Sequence, residues 1–319
     1  MSMALDPHTI ETEISLIRER ESNPFTAGVK ANLFTLLVLR SIESDPTKPE
    51  DRGEQALQYL LGKRPARIIT LHRARTAKTE AWVSGRCFPD RKNRGVCFEE
   101  VHIECGDDGF GADPGAWAPL VIRDLPVFAW LVDGMPAPAD PWEQTIHEAA
   151  GLIDKLIVDS SRFAEADDTL TSLRRLQAAV SETTRLADFA WERGRVLREQ
   201  SARVFDPPAM RPLLPLCTNV RLYGGSHAEA QLFFHWISTR RGTPIVAEHA
   251  YVGPLNEGFR VTFFPAGHPE IDIGCTKGGC LSLGEEKGAY RFPSEGEILL
   301  AQVDTPTPDR VFHEVLDRG

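Results

Sequence analysis

The chain contains no G-x-S-x-G elbow and no H-E-x-x-H pair. The first absence removes the usual α/β-hydrolase nucleophile and the second a helical zinc site. Cysteine is scarce: Cys87, Cys97, Cys105, Cys217, Cys275 and Cys280 are the six in 319 residues. That is too few for a disulfide scaffold in a chain this long, and it points to mostly reduced thiols. Basic residues are in deficit, 36 against 46 acidic ones, leaving a net charge of -10. A uniformly acidic protein repels nucleic acid and anionic lipid, so neither is the expected partner. Long apolar runs are missing too. The stretch Leu33–Leu39 is broken by Thr35 and is too short to span a membrane. The opening residues show no basic region followed by an apolar one, so no signal peptide is expected and the cytoplasm is the default location.

What is present is ordinary globular material, 42% hydrophobic and 26% charged, at about twice a typical domain length. Two domains are expected. A polar helix is read at 6–22 and a firmer one at 26–44, where Val29, Leu33, Leu36 and Leu37 recur at helical spacing. Thr26 is the N-cap of that reading and Asp45-Pro46 its stop. A further helix at 53–61 stops at Gly62, with Pro65 just beyond. Strands are read at 67–72, 81–87 and 96–105, and at Val127–Val132, whose unbroken apolar run suits burial on both faces. A helix at 141–154 and a strand at Lys155–Asp159 follow, implying a parallel β-α-β unit with a right-handed crossover. Residues 1–163 therefore read as an α/β domain with a mixed, partly parallel sheet. Residues 164–319 read as an α+β domain that starts with helices at 166–205. It continues with a strand at 218–223, a helix at 226–240, antiparallel hairpins over 243–304 and a last helix near Pro308.

Four places could carry chemistry or contacts. Gly224-Gly225-Ser226 lies between a strand and a helix, where backbone N–H groups can hold an anion, but it matches neither G-x-G-x-x-G nor a Walker loop. Ser226 with Glu229 forms an S-x-x-E capping box, which explains the turn structurally. Asp159 and Ser160 follow a predicted parallel strand, a common ligand position in α/β sheets, and capping of the next helix is the competing explanation. Cys275 and Cys280 flank a Gly-Gly turn and can form a switchable redox pair if a hairpin brings them together. No third or fourth ligand accompanies them, so no metal is expected. Finally, Trp191 sits among Arg193, Arg195 and Arg198, the residue types enriched at interface hot spots; an amphipathic helix whose Trp is core is the simpler alternative. The adjacent acid pairs Glu99/Glu100, Asp107/Asp108 and Glu285/Glu286 point apart if they lie on strands, so no acid/base dyad is read. No catalytic residue and no cofactor are assigned.

Several segments in order resemble one family. They are Lys63-Arg-Pro-Ala-Arg67-Ile-Ile, Asp124-Leu-Pro-Val-Phe128-Ala-Trp130, Leu156-Ile-Val-Asp-Ser-Ser161-Arg-Phe163, and Leu186-Ala-Asp-Phe-Ala-Trp191 leading to Phe205-Asp-Pro-Pro208. Together they are similar to the glucose-6-phosphate dehydrogenase assembly proteins, also called OpcA. The likeness runs from about residue 30 to Arg241. It implies an α/β N-terminal domain, a separate C-terminal domain, and a non-catalytic protein that promotes assembly and activity of glucose-6-phosphate dehydrogenase. It supplies no catalytic residues. In photosynthetic members cysteines have been connected with thioredoxin control, a role the resemblance does not assign to Cys275 and Cys280. The competing class is a protein or enzyme that binds a sugar phosphate or other anion in the crevice near Asp159, Ser160 and the Gly224-Gly225 turn.

Overall fold

A computed structural model describes residues 6–20, 32–41, 52–60, 63–89, 95–134, 141–163, 168–276, 279–282, 285–287, 291–305 and 307–318. By packing, the chain forms two compact units that interleave along the sequence. The first comprises 1–159, 176–187 and 294–307, the second 160–175, 188–293 and 308–319. The sequence places a single boundary at 163/164. The first crossing falls close to it, at 159/160, but the chain then returns twice to the first unit.

The first unit is built on a seven-stranded sheet. In chain order its elements are α1 (Pro7–Arg20), β1 (Thr35–Arg40), α2 (Arg52–Leu60), β2 (Arg67–Arg73), β3 (Glu80–Pro89) and β4 (Gly95–Cys105). The short α3 (Pro114–Trp117), β5 (Val127–Leu131), α4 (Pro141–Glu148), β6 (Lys155–Val158), the end of α5 (Thr169–Ala179) and β7 (Arg185–Asp188) follow. The strand order is β3-β4-β2-β1-β5-β6-β7. Neighbours from β4 to β6 run parallel, and β3 joins the edge antiparallel to β4. The expected mixed, partly parallel sheet is present, including the parallel β5/β6 pair.

The helix read at 26–44 is not present where it can be checked. Thr35–Arg40 is the central strand, with every residue buried; Thr26, Val29, Asp45 and Pro46 lie outside the described residues. A strand covered on both faces carries a continuous apolar run, here Leu36–Leu39, so Leu36 and Leu37 satisfy helical spacing by coincidence. Burial of Leu36, Leu37, Val38 and Leu39 stabilises by about 1.5–3 kcal/mol each.

Two buried cations organise this unit. Arg67 on β2 donates through Nε to Glu99 Oε2 at 2.8 Å, through Nη1 to the Leu120 carbonyl at 2.6 Å, and to the Glu11 carboxylate of α1. Burial alone would lower its pKa, but the bonds and charges of Glu11 and Glu99 outweigh this and raise it. Lys155 on β6 donates to the carbonyls of Gln302 at 2.7 Å and Thr305 at 2.5 Å, closing the C-terminal end of helix α9 (Glu295–Asp304). That helix packs along α2. Arg64 forks onto Asp304 at 2.8 and 2.9 Å, and the Tyr59 hydroxyl bonds Glu297. Residues 295–304 were expected among the hairpins. Their capping box, Ser294 with Glu297, is the sequence signal for the helix instead.

The second unit holds α6 (Phe189–Arg193), α7 (Arg195–Phe205), β8 (Cys217–Tyr223), α8 (His227–Arg241), β9 (Val246–Ala250), β10 (Gly258–Pro265), β11 (Ile271–Thr276), β12 (Gly279–Ser282), β13 (Glu285–Lys287) and α10 (Arg310–Arg318). Its sheet runs β13-β12-β11-β10-β8-β9. The pairs from β13 to β8 are antiparallel, as expected for hairpins, but β9 lies parallel to β8 after the crossover through α8. The helical stretch 166–205, expected in two pieces divided near Ser181–Thr184, does break there, but Arg185–Asp188 beyond the break is strand β7.

Candidate functional site

The Trp/Arg segment was the leading contact candidate, and the structure turns most of it inward. Asp188 caps α6, accepting from the Ala190 N–H at 3.1 Å and from the Ser160 N–H and hydroxyl at 2.8 and 2.6 Å. The helix then breaks at Gly194, where an added Cβ would meet the Arg198 guanidinium at 3.1 Å. Trp191 is only 1% exposed. Its indole N–H donates to Asp309 at 2.7 Å, its ring lies 5.2 Å from Phe312, and the Arg198 guanidinium sits 3.4 Å over it. Arg198 also donates to the Trp191 carbonyl at 2.6 Å, and burial pulls its pKa down to about 10. Trp191 and Arg198 are therefore core, not a surface anchor. Of the four residues only Arg195 presents its charge to solvent, 3.9 Å from Glu199.

Arg193 takes part in a second arrangement. Its Nε donates to Glu229 at 2.6 Å and its Nη2 to the Ser161 hydroxyl at 2.6 Å. Glu229 in turn accepts the Ser226 N–H at 2.8 Å, and Ser226 Oγ accepts the Glu229 N–H at 3.3 Å, completing the predicted capping box. The glycines beside it are engaged as well: the Gly224 N–H bonds the Ala250 carbonyl at 3.0 Å and the Gly225 N–H the Gly253 carbonyl at 2.8 Å. Gly224 sits at φ +96°, 2.8 Å from the Gly258 carbonyl as measured from an added Cβ, so only glycine fits. Ser161 and the Gly225-Ser226 turn thus do converge, but through an Arg193–Glu229 ion pair. The Glu229 carboxylate occupies the place at the helix N-terminus that an anion would take. Asp159 and Ser160 are both buried, and they belong to different units.

Cys275 and Cys280 face each other across β11 and β12 and are joined in a disulfide with their Cα atoms 4.0 Å apart. Cys105 and Cys217 are buried free thiols, pushed up by that burial to about 12 and about 11. Among the described residues no group of three or more His, Cys, Asp or Glu is placed to hold a metal, and no helix is long and apolar enough to cross a membrane.

One surface feature escaped the sequence reading. On β3 and β4, Trp82 stands opposite His102, and the two rings stack at 5.1 Å and 8°. The same face carries Glu80 opposite Glu104 and Ser84 opposite Glu100, with the Ser84 hydroxyl donating to Glu100 at 2.8 Å. Such a group exists only once the register is known, because it joins residues 16 to 24 positions apart.

Comparison with known proteins matches both halves of the chain. Residues 58–177 match the family described as the glucose-6-phosphate dehydrogenase subunit N-terminal domain, and residues 184–316 its C-terminal domain. The chain is 28% identical over 184 residues to the OxPP cycle protein OpcA of Nostoc punctiforme, a match spanning 56% of this chain and 38% of that relative. It thus covers well under two thirds of the curated relative's length. Likeness to a crystal structure titled glucose-6-phosphate 1-dehydrogenase from Mycobacterium avium is slight, with TM-score 0.47 and 11% identity over 89% of this chain and 91% of that one.

Proposed function

We propose that this chain, which belongs to the OpcA family of glucose-6-phosphate dehydrogenase assembly proteins, acts in the cytoplasm by binding that dehydrogenase and favouring its active oligomer, with no turnover of its own. The observation that carries this reading is the match of two family domains, in order, over residues 58–177 and 184–316. The chemistry on the chain is in keeping with it. The polar groups that could have formed a pocket, Ser161, Arg193, Ser226 and Glu229, are spent on one another.

The mechanism needs only linkage. A protein that binds one oligomer or conformer of its partner more tightly shifts that equilibrium by its differential affinity. A coupling of about 1–3 kcal/mol changes the partner's apparent substrate affinity roughly 5- to 150-fold. The test mixes the purified protein with the dehydrogenase of the same organism and follows NADPH formation against added protein. A rise in rate or apparent affinity, or growth in oligomer size, is expected. A saturating titration that changes none of these overturns the reading.

A further inference from the structure

We propose that the outer face of the second unit's sheet, together with its β9 border, docks a largely uncharged, apolar surface of the dehydrogenase; this rests on the reading that the chain works by binding that protein.

The two faces of this sheet are unlike. On the inner face Val220, Leu222, Val261, Phe263, Ile271 and Ile273 are buried, and the Phe263 ring packs edge-on against Phe205 of α7 at 5.0 Å. On the outer face the register sets Asp272, Thr262, Arg221 and Glu248 in one row across β11, β10, β8 and β9. Arg260 and Asp272 are exposed there, and Arg221 and Glu248 are half-buried. Each of these charges already has its counter-charge. Arg221 Nε donates to Glu248 at 2.6 Å, and Asn219 donates to the same carboxylate at 3.0 Å. Arg260 donates to Asp272 at 3.2 Å, and the Thr262 hydroxyl donates to its other oxygen at 2.5 Å.

The pairing decides what the face accepts. A charged segment would be desolvated here without a free counter-charge to meet it. An uncharged surface meets two neutral pairs that keep their partners when it docks. The apolar contact comes from the border. Among the described residues, Val246, Tyr251 and Val252 are the most exposed large hydrophobic side chains, at 63%, 66% and 70%. Val246 shares the outer face with Glu248, two positions along β9, and Tyr251 and Val252 follow that strand directly. The sheet's two edges differ in the same sense. β13 reads Glu-Glu-Lys, the kind of charge that protects an edge, whereas β9 reads Val-Ala-Glu-His-Ala with its one carboxylate held by Arg221. A second copy of this chain fits less well, because docking two such faces desolvates the ion pairs of both.

The experiment measures binding of the full chain to the purified dehydrogenase of the same organism at low and high salt, with light scattering of the chain alone. Tyr251→Ala is expected to weaken binding about 30-fold, the effect of an aromatic anchor, and Val246→Asp about tenfold. Arg260→Gln leaves Asp272 without its cation and is expected to weaken binding about fivefold, and adding Asp272→Asn to it should restore most of the loss. Affinity should change less than about twofold with salt. Glu182→Gln, at an exposed acid in a turn of the first unit, is the control. Thermal melting checks each fold; if Val246→Asp melts early, Tyr251→Ala decides. Equal binding by all variants overturns the face while leaving the proposed function standing. Steep salt dependence, or a double variant weaker than Arg260→Gln, means a charged partner surface and overturns the uncharged one. A dimer of the natural chain that Val246→Asp dissolves, with dehydrogenase binding untouched, gives the face to a second copy and overturns the proposal. No binding by the natural chain overturns the proposed function and the face with it.

Discussion

Replacing Trp191 by alanine separates a core role from a contact role. The side chain is buried against Phe312, bonded to Asp309 and covered by the Arg198 guanidinium. Truncating a buried tryptophan costs about 3–5 kcal/mol. Loss of the ring also strips the cation–π contact from a desolvated guanidinium, worth about 2 kcal/mol. The expected total is about 5–7 kcal/mol, a drop of roughly 10–30 °C in melting temperature for a unit of this size. Trp191→Phe keeps most of the packing and loses the indole N–H bond to a carboxylate, so about 1.5–3 kcal/mol is expected. Urea unfolding followed by circular dichroism reads both variants. A Trp191→Ala protein that unfolds like the natural chain yet binds the dehydrogenase more weakly would refute the packing argument and return Trp191 to the surface.

Alkylation of the folded protein should leave Cys275 and Cys280 unmodified until reductant is added, and Cys105 and Cys217 unmodified until denaturant is added, since burial holds those thiols at about 12 and about 11; mass mapping of free thiols on Cys275 without reductant would contradict this. The Cys275→Ser/Cys280→Ser protein should lose about 2 kcal/mol in urea unfolding, the entropy of closing a short loop, and an unchanged midpoint would mean that the hairpin is held without the bond. Burial lowers the His235 pKa against the opposing charge of Asp168. Between its ordinary value of 6.5 and the lowered one, the unfolded chain binds a proton that the folded chain does not, so stability falls as pH drops below 6.5. Melting from pH 7.5 to 5.5 should therefore fall more steeply for the natural chain than for His235→Gln, and equal slopes would contradict the burial argument.

How much of this was legible beforehand depended on whether the signal was local. The capping box at Ser226 was readable because its partners are three residues apart, and so was the β5-α4-β6 unit, whose strands carry their own apolar runs. β1 was not, since Leu36, Leu37 and Val38 are apolar for the sheet's sake and mimic a helical stripe. β7 hid between two helices because four residues are too few for alternation to register. Trp191 stayed open between core and contact for another reason. Tryptophan and arginine together mark a contact surface or a stacked core pair equally well, and only the placement of Asp309 and Phe312, more than 100 residues away, decides between them. The Trp82–His102 stack depends on register in the same way.

The return of residues 294–307 to the first unit sets a timetable for biosynthesis. By the time Asp159 has been made, the strands β1 to β6 are in hand, but the helix that receives the Lys155 ammonium has not been translated. At about 5–20 residues per second, residues 160–293 take roughly 7–27 seconds to emerge. Through that interval the Lys155 ammonium lacks the Gln302 and Thr305 carbonyls that it meets in the finished unit. The two units are therefore finished at nearly the same moment. A stop codon or a proteolytic cut anywhere before α9 damages the first of them, although almost all of its sequence lies far upstream.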